Sequence, residues 1–301
     1  MLLVGIGELL WDVLPTGAHL GGAPANFALL AQLLGARGVV VSRVGDDQFG
    51  REARSQLERH GVDDSCVQTD ARHKTGSATV SLASNGGARF TISPDAAWDH
   101  LEWTPQLAEL AGQADAICFG TLAQRSPASR ETIQRTLACS RPECLRILDV
   151  NLRRPFDNVE ILADSLQGAN VLKLSSEELP LVLRACNLPS LPEGEAARML
   201  QQRYGLRAAC ITRGARGSVI AFEDATVTHP GVAVEVVDTV GAGDAFTAAL
   251  AVQLLAGSPP ERVSEAANRV GAWVASQAGA IPAKDSGWER VRALYGVPER
   301  S

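Results

Sequence analysis

The chain has 301 residues, 46% hydrophobic and 21% charged, which fits a soluble globular protein of one large α/β domain or two small ones. A formal net charge of −6 argues against nucleic acid or an anionic membrane as the main partner, since both require a basic face, so an anionic ligand must find local donors. Six cysteines lie scattered without a Cys-x-x-Cys pair, as expected of reduced thiols in a cytoplasmic protein, and the histidines (His19, His60, His73, His100, His229) are too dispersed to predict a metal cluster or a Ser-His-Asp constellation.

The segment Met1–Glu8 is apolar but lacks a basic leader, and Glu8 and Asp12 interrupt it, so it reads as a buried first strand over Leu2–Leu10 rather than a signal peptide. An extended piece over 10–20 with Pro15 and Gly17 follows. Phe27, Leu30, Ala31 and Leu34 then keep the i, i+3, i+4, i+7 spacing of a helix, with Pro24 near its start and Gly35 past its end. Further strands are expected over 39–44, 116–119, 145–150, 171–174 and 208–212. Helices are expected over 48–60, 130–139, 159–167, 177–186, 193–204, 243–256 and 260–277. Alternation of this kind predicts a mostly parallel sheet with helices on both faces. The stretch 75–92 breaks the rhythm: Ala78, Val80 and Leu82, then Asn85-Gly86-Gly87, then Phe90 and Ile92 form a hairpin pattern, which with the piece at 10–20 makes a small projecting sheet. Its exposed edges could pair with a second copy. The most apolar helical run, Ala245–Leu255, falls far short of the roughly 20 residues of a membrane span.

The most informative stretch is Asp238-Thr239-Val240-Gly241-Ala242-Gly243-Asp244, which leads into the helical run Ala245–Val252. Main-chain N–H groups at such a helix start are unpaired and sit at the positive end of the dipole, a composition that attracts phosphate. A carboxylate there repels a plain anion, which points instead to a base that takes a proton from an attacking hydroxyl. The plain alternative is a glycine turn in which Asp244 only favours the first helical turn. A dinucleotide loop lacks its third glycine, and none of the three lysines (Lys74, Lys173, Lys284) has the spacing of a Walker loop.

Two separated motifs resemble one family. Gly21-Gly22-Ala23-Pro24-Ala25-Asn26-Phe27-Ala28 is similar to the N-terminal signature of the ribokinase-like (PfkB) carbohydrate kinases, and Asp238–Phe246 to their C-terminal signature. Gly7–Asp12, Ala97-Trp98-Asp99 and Asp149-Val150-Asn151-Leu152-Arg153 resemble the bacterial fructokinase branch. The resemblance implies a ribokinase-like three-layer α/β sandwich, one domain over 1–301, with a β-sheet lid from about 10–22 and 74–95. It implies ATP-dependent phosphorylation of a primary sugar hydroxyl, with D-fructose first, and 2-keto-3-deoxygluconate, ribose or a nucleoside behind it. A sugar acid would need Arg89, Arg125 or Arg153 for its carboxylate, and a nucleoside would favour more aromatics than the 5% present. By the same resemblance Asp244 is the general base, and the amides of Gly241, Ala242 and Gly243 form the anion hole. Asp12, Gly21, Gly22 and Asn26 meet the sugar. Arg153 either holds substrate or phosphate, or pairs with Asp149 or another carboxylate. The nucleotide would lie along Ser175, Thr212, Arg213, Gly214 and Gly217, with Asn268 near adenosine. Mg²⁺ would be ordered through water by Glu178, in a segment where Ser175 replaces the asparagine often found in relatives. Potassium would meet carbonyls mapping to Asp238, Val240, Val274, Gln277 and Gly279. Two other classes compete: a sugar-binding regulatory protein that lost catalysis, and a nicotinamide oxidoreductase.

Overall fold

The computed structural model describes residues 1–14, 17–82, 88–282 and 285–298. In chain order, β1 (Leu2–Ile6), β2 (Leu10–Leu14), β3 (Gly17–Gly21) and α1 (Ala23–Leu33) precede β4 (Arg37–Gly45), α2 (Gln48–Arg59) and β5 (Val67–Asp70). Next come β6 (Gly76–Leu82), β7 (Ala88–Ile92), α3 (Pro105–Gln113), β8 (Ala116–Phe119), α4 (Pro127–Ala138) and β9 (Leu145–Asp149). They are followed by α5 (Val159–Gly168), β10 (Val171–Ser175), α6 (Leu179–Ala185), α7 (Glu193–Tyr204) and β11 (Ala208–Thr212). The last elements are β12 (Ser218–Phe222), β13 (Thr226–His229), α8 (Ala242–Leu255), α9 (Pro260–Ala275) and α10 (Ser286–Tyr295).

Two sheets result, in the orders β13-β12-β11-β10-β9-β8-β1-β4-β5 and β3-β2-β6-β7. In the large sheet β5, β4, β1, β8, β9, β10 and β11 run parallel, and β12 and β13 are antiparallel. Its parallel strands are nearly continuous runs of buried apolar residues, because helices cover both faces. Strand order reverses direction at β1, which has β4 on one side and β8 on the other, and in open α/β sheets the crevice at the carboxyl ends near such a reversal receives ligands.

Helices α8 and α1 place the two motifs against this crevice. Residues Ala245–Gln253 of α8 are buried without a break, the mark of a helix enclosed on all sides. Gly5 brings α1 down onto β1: a Cβ there would lie 1.9 Å from Pro24 O, so any side chain would lift the start of α1, and Asn26 with it, off the sheet.

Several boundaries differ from the expected ones. The first strand stops at Ile6 rather than Leu10, since Gly7 turns the chain at φ 148° and Leu10 opens a strand of the other sheet. Pro127 starts α4 earlier than 130, as proline does at a first helical position, and α6 begins only at Leu179. Strands β5 and β13 and helices α3 and α10 were not anticipated; β5 and β13 have only four residues each, and β13 alternates between exposed and half-buried positions, too short a pattern to stand out. The expected turn at Asn85-Gly86-Gly87 falls outside the described residues. No helix among the described residues is long and apolar enough to cross a membrane.

Candidate functional site

Asp149 at the carboxyl end of β9 and Lys173 of β10 reach the start of α8. Gly241 caps that helix at φ 78°, a conformation that suits glycine, and a Cβ there would lie 2.6 Å from Ala280 Cα. Among the described residues the N–H groups of Gly241, Gly243 and Asp244 have no hydrogen-bond partner, while that of Ala242 donates to Thr239 O at 3.3 Å. Two of the three expected amides, those of Gly241 and Gly243, and that of Asp244 therefore remain free to bind an anion, and Ala242 is the one engaged in the turn.

Asp244 faces α1: Asn26 Nδ2 donates to its Oδ2 at 2.8 Å. Burial, reinforced by the nearby Asp149 charge and opposed by Lys173, Asn26 and Arg153, pushes its carboxyl up to about 6. Among the described residues Asn26 Oδ1 is buried with no partner, so this amide is half satisfied. Asp12, on β2 opposite His19 of β3, turns its Oδ2 into the space a side chain at Gly21 would fill, and burial raises its carboxyl above the ordinary aspartate value. Gly22 caps α1 and accepts the Asn26 N–H at 2.8 Å. Arg153 is exposed and forms no ion pair among the described residues, yet its charge lowers the carboxyls of Glu8, Asp12 and Asp244 together. The pairing with Asp149 considered for Arg153 is not present. Asp149 is taken by Lys173, whose Nζ stands 2.9 and 3.1 Å from its two oxygens, and Thr247 Oγ1 donates to Asp149 Oδ2 at 3.0 Å.

The expected nucleotide residues lie along the next strands. Glu178 braces two loops, accepting Leu152 N–H at 2.6 Å on Oε1 and Ser175 N–H at 2.7 Å on Oε2, and each oxygen keeps a lone pair. Ser175 and Thr212 are paired at the ends of β10 and β11, and Thr212 leads into the short turn Gly214–Arg216, where Gly214 and Gly217 have φ of 58° and 80°. Arg213 points into the protein, donating to His229 O at 2.9 Å and lying 3.7 Å from Glu193, which leaves its guanidinium a structural tie. Asn268 is also committed: its Nδ2 donates to Ser218 Oγ and Ser264 O, both at 2.8 Å. For the expected cation ligands, the Asp238 carboxylate accepts from Val240 N–H at 3.0 Å and Gly279 N–H at 3.2 Å, while Val274 and Gln277 sit at the end of α9. Arg125, one of three arginines considered for a substrate carboxylate, is held by both oxygens of Asp99 at 2.7 and 2.8 Å and lies over the rings of Trp98 and Phe156. It is not free for a ligand.

Three residues at the site were given no role from the sequence. Lys173 and Asp149 are charged positions inside otherwise apolar strands, and facing register across β10 and β9 was the signal that could have found them. Glu8, two residues past the end of β1, is only 2% exposed, and its Oε2 has no partner among the described residues. Burial, against the pull of its own and the Ala23 amides, pushes its carboxyl up to about 7. A carboxyl raised in the folded state contributes stability below its ordinary pKa and loses it as pH rises through the folded value, here between about 4.5 and 7. Glu8→Gln is therefore expected to raise stability at pH 8 by on the order of 3 kcal/mol and to leave it nearly unchanged at pH 4. Urea melts at the two pH values check this; an equal effect at both would show that the group ionises freely.

The pfkB family carbohydrate kinase profile matches residues 12–286. A fructokinase of Salmonella typhimurium is 33% identical over 269 residues, covering 85% of each chain, and fructokinase-1 of Oryza sativa is 30% identical, covering 93% of this chain and 94% of its own. The crystal structure of an uncharacterized sugar kinase from Pyrococcus horikoshii in complex with ATP superposes with a TM-score of 0.79 at 27% identity, over 97% of this chain and 100% of that one.

Proposed function

Because the chain belongs to the pfkB family of carbohydrate kinases and is a sugar kinase, we propose that it transfers the γ-phosphate of ATP to the O6 hydroxyl of D-fructose. The observation that carries this reading is Asp244: a carboxyl raised to about 6, oriented by Asn26 at 2.8 Å, beside the unpartnered amides of Gly241 and Gly243. A base with that affinity for protons is ionised at neutral pH yet close enough to it to accept the hydroxyl proton as the oxygen attacks phosphorus. The amides, fixed before reaction, meet charge on the migrating oxygens. Asp12 and the unpartnered Asn26 Oδ1 accept hydroxyls of the sugar, with Gly21 and Gly22 allowing its close approach. Arg153 balances the three carboxyls before substrate arrives and holds phosphate after it.

ATP lies along Ser175, Thr212, Gly214 and Gly217. The donor set fits Mg²⁺, since Glu178 offers a hard carboxylate whose orientation is fixed by two main-chain amides and which retains capacity for metal-bound water. When bound, the ion neutralises phosphate charge. Potassium would add charge behind the anion hole through the carbonyls near Asp238.

A 2-keto-3-deoxy sugar acid is the second reading, favoured by Arg153, an exposed guanidinium whose one hydrogen bond among the described residues is to its neighbour Leu152 O at 3.2 Å. Release of ADP, coupled to a spectroscopic assay over a panel of hexoses, pentoses, nucleosides and sugar acids, separates the two. Fructose is expected to give the highest kcat/KM. Preference for the sugar acid, abolished in Arg153→Gln, would transfer the assignment; turnover of no sugar would refute the kinase reading.

A further inference from the structure

The histidines look dispersed in sequence, yet the fold sets two of them face to face. The rings of His73 and His100 stack with centroids 3.6 Å apart and an angle of 12° between planes. His73 belongs to the connection from β5 to β6, whereas Asp95 and His100 belong to the segment that follows β7, so the pair joins the two connections between the sheets. Dispersion along the sequence gave no support for a metal cluster, whereas the fold brings His73, Asp95 and His100 together.

We propose that His73 Nε2, His100 Nε2 and the Asp95 carboxylate bind a divalent transition ion of the zinc type, with water completing the set. His73 Nδ1 lies 3.0 Å from Asp70 Oδ2, and Asp70, 1% exposed, is in turn fixed by Arg43 Nε at 2.8 Å. A carboxylate on Nδ1 places the ring proton there and leaves Nε2 with its lone pair, the arrangement by which carboxylates orient metal-binding imidazoles. That Nε2 stands 3.9 Å from Asp95 Oδ2, and His100 Nε2 stands 2.7 Å from Asp95 Oδ1 in a hydrogen bond that the ion replaces, with the His100 ring proton then carried on Nδ1.

All three donors lie within 4.8 Å of one another. Bonds of about 2.0–2.1 Å in a tetrahedral site would set donors about 3.4 Å apart. The stacked rings hold their Nε2 lone pairs in nearly parallel planes, so closure requires the His100 ring, 35% exposed, to turn out of the stack toward Asp95. Asp95 has φ 51° and a side chain 71% exposed; the ion can enter from solvent and keep a water there. Two imidazoles and one carboxylate suit zinc, cobalt or nickel, whereas magnesium and calcium take oxygen ligands. Such an ion would clamp the base of the small sheet to the large one.

Equilibrium dialysis of the untagged, metal-stripped chain against Zn²⁺, without nucleotide, tests this. One equivalent is expected per chain, with at least tenfold weaker binding in His100→Gln and in Asp95→Asn, and wild-type binding in His229→Gln. Co²⁺ should give the visible absorption of a tetrahedral site, and Zn²⁺ should raise the melting midpoint of wild type but not of His100→Gln. Matching circular dichroism of the variants shows that they fold. Absence of binding, or binding kept in both His100→Gln and Asp95→Asn, would overturn the proposal; these readouts are independent of kinase turnover.

Discussion

Asp244→Asn is expected to lower kcat on fructose by about 10³-fold, within the roughly 10²–10⁴ attributed to a positioned base. The amide is nearly isosteric and can still accept from Asn26 Nδ2, so ATP and sugar binding should change little, and the loss should fall on kcat rather than KM. The pH profile provides a second check. Wild-type kcat/KM should fall as pH drops through about 6, where the carboxylate takes up a proton, and the residual activity of the variant should lack that limb. Stability runs the other way: because burial raises this carboxyl, its contribution is present below the ordinary aspartate value and is lost as pH rises through about 6. Loss of activity at pH 5 thus cannot come from unfolding driven by Asp244 itself. Unchanged kcat in the variant would sink the assignment of the base.

Much of this architecture was legible because its signals are local. The glycine turn before Ala245, the uninterrupted apolar run behind it and the alternation of strand-like and helical segments depend on neighbours in sequence, and they gave α8, the parallel sheet and the small sheet. What escaped depends on pairing across the fold. Asp149 and Lys173 stand 24 positions apart and meet only because β9 and β10 lie in register, and His73 meets His100 only after two connections are folded together. Asn268 and Arg213 show the converse: the family resemblance assigned them to the nucleotide, and in the structure Ser218, Ser264 and His229 O use their donors internally. Charge in an apolar strand was the residue-level clue that was not used, and it leads to the most consequential pair beneath the site.

Lys173→Met should destabilise the protein by about 3–5 kcal/mol, the usual cost of leaving one member of a buried ion pair unmatched. Lys173 is 7% exposed and Asp149 3%, so neither can find water. Burial alone would strip the ammonium of its proton, but Asp149, Glu178 and Asp244 outweigh it and hold the pKa above the ordinary lysine value. Its Nζ lies 3.0 Å from where a Cβ on Gly243 would stand, directly under the unpartnered amides of the helix start. The variant therefore loses the positive charge that helps keep Asp244 ionised, and the acidic limb of its activity should move to higher pH. Lys173→Met with Asp149→Leu removes both charges and should recover most of the melting temperature, since an apolar pair can replace a buried ion pair at little cost. It should not recover turnover, because the charge under the phosphate site is still missing. A double variant with wild-type kcat would show that the pair serves the fold alone, and a single variant that melts like wild type would show that water reaches Asp149.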